Sequence, residues 1–307
     1  MRIVFMGTPD YAAVTLQKLI DEKYDLLAVF AQPDKPVGRK QILTPPETKV
    51  IAQKYNIPVF QPKTLRDGEA YSILKELNPD VIVVVAYGKI LPKEILDLSK
   101  YGCINGHASL LPKLRGSAPI QWAIVNGEKQ TGVTTMQMDE GMDTGDILET
   151  TVVDIGEQET AEELFDRLSV LSADLMISTL KRAQAGTLNP IKQNEAEATY
   201  APIIKKEMAH IDFTKTADEI CNMVRGFYSW PCAFCFINGK RIKVIKAVPA
   251  NLRANECGRV IESDDRLVVS CSGGSVELLL VQPEGAKAME AKTMLNGHKI
   301  AKGTVVE

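Results

Sequence analysis

Asn105 and His107 stand two residues apart in INGHASLLPKLRG (104–116), and His107 is one of only three histidines among 307 residues. Side chains alternate between the faces of an extended strand, so these two point the same way and Gly106 points the other. Asn supplies an uncharged amide donor, suited to an oxygen on which negative charge develops. His exchanges protons near neutrality or donates a charged hydrogen bond. No G-x-S-x-G elbow accompanies them, which favours direct attack on a carbonyl by a substrate's own nucleophile over a covalent acyl-enzyme. A second stretch, MDEGMDTGD (138–146), offers the carboxylates Asp139, Glu140, Asp143 and Asp146, any of which could orient the histidine. That loop does not fit a calcium-loop pattern, and no metal is expected. On periodicity alone, Asn105 and His107 read equally well as a hydrogen-bonded pair closing a strand end.

The elements that must position these residues alternate. RIVFMG (2–7), DLLAVFA (25–31), IPVF (57–60), DVIVVVAYG (80–88) and GCINGH (102–107) read as strands. Helical stretches fall between them at 11–22, 47–56, 68–78 and 92–99. This rhythm predicts a doubly wound, mostly parallel α/β sheet, in which ligands bind beyond the carboxyl ends of the strands. VAYGK and INGHAS lie at such ends. The first strand ends in MGTPD, with one glycine in place of G-x-G-x-x-G, so a dinucleotide site is not supported. Two further strands flank the acidic loop, and 159–184 reads as a long amphipathic helix closed by Gly186.

Residues 187–209 carry Pro190 and Pro202 without a clear period and read as a linker. After a helix at 215–226, short alternating strands with Gly-rich turns predict a small β-barrel of the oligonucleotide-binding type. The expected organisation is a catalytic domain over 1–186, a linker over 187–209 and a barrel over 210–307. Net charge is −3, so no global basic field announces a polyanion. The barrel's NGKRIKVIK (238–246) is locally basic and reads either as a solvated strand edge or as an anion contact. No apolar run reaches the roughly 18 residues of a membrane span, and the apolar start is too short for a signal segment; a cytoplasmic protein is expected. Cys232 and Cys235 form a lone C-x-x-C in apolar WPCAFCF and read as buried packing thiols.

NGHASLLPKLRGSAPIQWAI (105–124) and TGVTTMQMDEGMDTGDIL (131–148) resemble the two signature segments of the formyltransferases that use 10-formyltetrahydrofolate. RIVFMGTPDYA at the start, VVVAYGKILP (83–92), YAPIIKKE (200–207) and LLLVQPEGAKAM (278–289) resemble members of that superfamily that act on tRNA. The resemblance implies a Rossmann-like catalytic domain followed by the barrel. It implies transfer of a formyl group from 10-formyltetrahydrofolate to the amino group of initiator methionyl-tRNA, through a tetrahedral intermediate. It assigns catalysis to Asn105, His107 and Asp143, and folate contacts to the turn Ser109, Leu110, Leu111 and Pro112. It also implies that the loop PDKPVGRKQILTPP (33–46), with Arg39 and Lys40, reaches the tRNA acceptor end. A monomer is expected. FYSWPCAFCF departs from the family by lacking a Pro-Trp-Pro-Gly run, which bears on the RNA contact more than on the reaction. Two alternatives stand beside this reading: a formyl-folate enzyme acting on a sugar or nucleotide amine, and a non-catalytic RNA-binding protein on the same fold.

Overall fold

β1 (Arg2–Gly7) is buried from Ile3 onward, and the sheet of the first unit grows from it. The computed structural model describes residues 1–38 and 40–307. It divides into one unit formed by Met1–Pro119, Thr131–Val153 and Phe165–Ala201, and a second formed by Ile120–Gln130, Asp154–Leu164 and Pro202–Glu307.

In chain order the first stretch holds α1 (Asp10–Asp21), β2 (Asp25–Phe30), β3 (Lys35–Val37), β4 (Ile42–Thr44), α2 (Glu47–Lys54), β5 (Val59–Phe60), α3 (Glu69–Leu77), β6 (Val81–Val85), α4 (Lys93–Leu96) and β7 (Cys103–His107). β8 (Arg115–Gly116), α5 (Pro119–Val125), β9 (Gln130–Gln137), β10 (Ile147–Asp154), α6 (Ala161–Ala185) and β11 (Tyr200–Ala201) follow. The main sheet has the order β10-β9-β7-β6-β1-β2-β5. β5, β2, β1, β6 and β7 are parallel neighbours, and β9 runs antiparallel to β7. The strand order therefore reverses between β1 and β6, the point where doubly wound sheets open a crevice. β6 reads VIVVV and is buried at every position, as a strand covered on both faces requires. The doubly wound, mostly parallel sheet predicted from the alternating pattern is present.

The loop expected over 33–46 contains a hairpin. β3 and β4 pair antiparallel, Lys35 with Thr44 and Val37 with Ile42, and every described residue of both strands is exposed. Its base is held by Lys49, whose ammonium donates to Asp34 at 2.9 Å and to Gln61 at 2.8 Å. These partners keep the Asp34 carboxyl below its ordinary range, Gln61 contributing most.

The second unit opens its main run with α7 (Ala217–Gly226), started by a capping box in which Thr216 and Glu219 satisfy each other's backbone amides. β12 (Phe234–Ile237), β13 (Lys240–Ala250), β14 (Val260–Glu262), β15 (Leu267–Cys271), β16 (Gly274–Pro283), β17 (Met289–Glu290) and α8 (Ala291–Gly297) complete it. The antiparallel sheet runs β12-β13-β16-β15-β14, with β17 beside β16. The final residues join its two edges. Val306 bridges Ile237 at the β12 edge, and Val305 bridges Arg259 beside β14, with Glu307 N–H donating to Phe236 at 2.9 Å and Val306 N–H to Gly258 at 2.8 Å. That closure removes the free edges and makes the sheet a small barrel. Ala233, Cys235, Ile237, Ile242, Val244, Val269 and Val276 fill its core. Cys232 and Cys235 are both buried and unpaired. Among the described residues no helix is long and apolar enough to cross a membrane.

Candidate active site

β7 carries Asn105 and His107 at the carboxyl end of the parallel set, 8% and 7% exposed. Gly106 faces α6: a Cβ there would sit 3.0 Å from Ser172 Oγ and 3.5 Å from Met176 Cε. The strand packs closely on that helix because position 106 has no side chain, and the other face is left to the two polar groups. Among the described residues nothing hydrogen-bonds the Asn105 amide. His107 Nε2 lies 3.0 Å from the Leu114 carbonyl oxygen. A carbonyl only accepts, so Nε2 carries the proton and donates it. Nδ1 is then the nitrogen free to exchange a proton.

The turn after β7 is tied to itself and to its neighbours. Ser109 Oγ donates to the Lys113 carbonyl at 2.6 Å, and Thr134 Oγ1 donates to the Ser109 carbonyl at 2.7 Å while accepting the Leu111 N–H at 3.2 Å. Leu114 sits at φ 57°, with its N–H on Thr199 Oγ1 at 2.9 Å. These bonds hold the Leu114 carbonyl against the imidazole. Of the four residues predicted to meet folate, Ser109 and Leu111 are buried and Leu110 and Pro112 half-buried. The Ser109 hydroxyl is used inside the turn, so Leu110 and Pro112 are the more accessible side chains of these four.

Asp143 approaches from the 138–146 loop. Its Oδ2 is 3.7 Å from His107 Nδ1, within ion-pair range and too long for a hydrogen bond. The same oxygen accepts the Gly116 N–H at 2.8 Å. Gly116 has φ 115°, and a Cβ there would come 2.8 Å from the Ala201 carbonyl across the β8–β11 pair, so only glycine presents this amide. Thr144 Oγ1 and Gly141 N–H fold back onto Asp139 at 2.6 and 3.0 Å; that carboxylate serves the loop's own turn. Among the described residues no group of three or more His, Cys, Asp or Glu is placed to hold a metal ion.

Arg115, which from sequence stands equally well at the surface, is fully buried. Its guanidinium donates to Gln193 Oε1 and to both oxygens of Glu195, at 2.8 to 3.0 Å. The Glu195 carboxyl is held below its ordinary range by this contact, and Arg115 is pushed up by it. Gln193, Glu195 and Thr199 were not visible in the sequence: they lie in the segment without periodicity, 78 to 85 residues from their partners. At the ends of β1, β2 and β6, Gln32 donates its amide to the Tyr87 carbonyl at 3.0 Å and Thr8 Oγ1 does so at 3.2 Å. Burial pushes the Tyr87 phenol up to about 12, and its hydroxyl has no partner among the described residues. Lys40 is exposed between β3 and β4; Arg39 lies outside the described residues.

An amide donor and a proton-exchanging imidazole on one face of a strand end, with a carboxylate facing the imidazole, are the equipment of an acyl-transfer enzyme without a protein nucleophile. The formyl transferase family matches residues 1–180, and its C-terminal domain matches residues 203–299; the chain belongs to that family. Its sequence is similar to the methionyl-tRNA formyltransferase of Caldanaerobacter subterraneus subsp. tengcongensis, at 49% identity over 309 residues and 100% of both chains. In fold it is similar to an N-formyltransferase from Helicobacter canadensis solved with folinic acid and dTDP-3-aminofucose, at a TM-score of 0.71 and 24% identity, over 92% of this chain and 99% of that one. It is also similar to the methionyl-tRNA formyltransferase from Clostridium thermocellum, at a TM-score of 0.57 and 22% identity, over 94% and 99%.

Proposed function

We propose that this chain transfers the formyl group of 10-formyltetrahydrofolate to the free amino group of the methionine on initiator methionyl-tRNA, acting as a cytoplasmic monomer. The observation that carries the reading is the meeting of Asn105, His107 and Asp143 at one strand end, with the Asn105 amide unpartnered.

The amine nitrogen attacks the formyl carbon directly. Asn105 donates to the formyl oxygen as it gains negative charge, a contact whose loss typically costs about 10²–10³ in rate. His107 Nδ1 takes the proton shed by the attacking nitrogen and returns it to N10 of the folate as the C–N10 bond breaks. Asp143 faces that nitrogen and steadies the imidazolium between the two transfers. The rigid turn of Ser109, Leu110, Leu111 and Pro112 lies against the donor. The fit of that donor rests on two polar groups left open, the Asn105 amide and His107 Nδ1, on one face of β7. Arg39 and Lys40 on the 33–46 segment, with the barrel of 210–307, bind the acceptor arm through its phosphates, so affinity falls steeply with salt.

The test is to incubate the purified protein with 10-formyltetrahydrofolate and either initiator methionyl-tRNA or a nucleotide-linked amino sugar. Formyl-methionyl-tRNA as the product supports the reading. Formylation of the sugar alone, or of neither acceptor, overturns it.

A further inference from the structure

We propose that Arg115 and Gln193 are positioning residues: together they hold Asp143 where it can face His107. The inference rests on the formyl-transfer reading only for its activity test.

A guanidinium has five N–H donors and no acceptor. Arg115 is fully buried, and its Nε and Nη2 both point at Gln193, at 3.0 and 2.8 Å. Only the oxygen of the Gln193 amide can face them. The amide is thereby prevented from flipping, and its nitrogen must face the other way. There it uses both hydrogens, donating to the Asp143 carbonyl at 2.8 Å and to the Gly145 carbonyl at 2.7 Å. The second half of the fork closes on Glu195, which caps the guanidinium from a position 68% exposed.

Asp143 needs this support, because its backbone sits at φ 57°, a region that residues with a Cβ adopt rarely. Its main chain is held through the Arg115 side chain by way of Gln193. Its carboxylate is held by the N–H of Gly116 at 2.8 Å, the residue that follows Arg115 in the β8 pair. One short strand thus fixes the aspartate from both ends. Neither Arg115 nor Gln193 is bonded to His107, so their effect on the reaction passes through Asp143.

Gln193→Glu is the sharp variant. It keeps the shape of the side chain and an oxygen for Arg115, and removes both donors to the loop. Two readouts are expected to move. Turnover on methionyl-tRNA falls by about tenfold to 10²-fold, as misplacement of a catalytic group predicts, with KM for tRNA within about twofold. In an Asp143→Ala background the same substitution changes the residual rate by less than about twofold, because a residue acting through Asp143 has nothing left to position. The Gly116 amide, protected by the Asp143 carboxylate, exchanges with deuterium at least about tenfold faster, while amides of β6 keep their protection. This last readout needs no turnover, so a chain that formylated a different amine would leave it intact. An unchanged Gly116 exchange rate, or an equal loss of turnover with and without Asp143, overturns the proposal. If Gln193→Glu does not fold, Gln193→Met carries the same two measurements.

Discussion

His107 Nδ1 lies 3.7 Å from Asp143 Oδ2, the oxygen that accepts the Gly116 N–H at 2.8 Å. The pair is an ion pair in waiting. With Nε2 donating to Leu114 at 3.0 Å, the neutral imidazole turns a lone pair toward the carboxylate. Protonation at Nδ1 converts that approach into an attraction. Catalytic contacts of this kind are often long before substrate binds and shorten in the reacting complex.

The tautomer is the first prediction. Nitrogen-15 NMR of the neutral protein should report His107 with its proton on Nε2 and coupled to the Leu114 carbonyl. A spectrum with the proton on Nδ1 would remove the base from the mechanism.

Glu195 gives the second, with a sign. The Arg115 contact depresses its carboxyl in the folded protein. Its stabilisation is therefore complete above the unfolded value of about 4.3 and is lost as pH falls below it. Wild type and Glu195→Gln should differ in melting temperature at pH 6 to 7 and converge below about pH 4. The difference should be small, since the carboxylate is largely exposed. A gap that persisted undiminished at pH 3 would mean that charge is not what Glu195 contributes.

The hairpin supplies the third. Lys40→Ala should weaken tRNA binding and lower the slope of log affinity against log salt by about one, as the loss of one phosphate contact does. Folate binding should not change. A variant with altered folate affinity and an unaltered salt slope would place Lys40 elsewhere in the reaction.

Cysteine reactivity is the fourth. Burial pushes Cys235 up to about 12 and raises Cys232 as well, while Cys257 is exposed. Alkylation of the native protein at pH 8 should label Cys257 first and leave the C-x-x-C pair intact until denaturation. Rapid labelling of Cys232 would show that the pair is more than packing.

Much of this was legible in the sequence for physical reasons. Alternation alone put Asn105 and His107 on one face, and the absence of a side chain at 106 freed the other face for α6. The β-branched run of β6 announced a strand covered on both sides. Other features were hidden because they depend on contacts distant in the chain. An arginine after a turn looks the same in sequence whether it is solvated or, like Arg115, sealed beneath Gln193 and Glu195. The hairpin at 35–44 was hidden as well, since its strands are three residues each with both faces exposed, and no core imposes a period on them.

If Asn105, His107 and Asp143 act on one formyl carbon, single-turnover formylation of methionyl-tRNA by enzyme in excess reads their effect on the chemical step alone. Asn105→Ala and His107→Ala should each slow that chemical step by about 10² or more, with folate and tRNA binding and melting temperature close to wild type. A single-turnover rate near wild type in either variant would contradict the account.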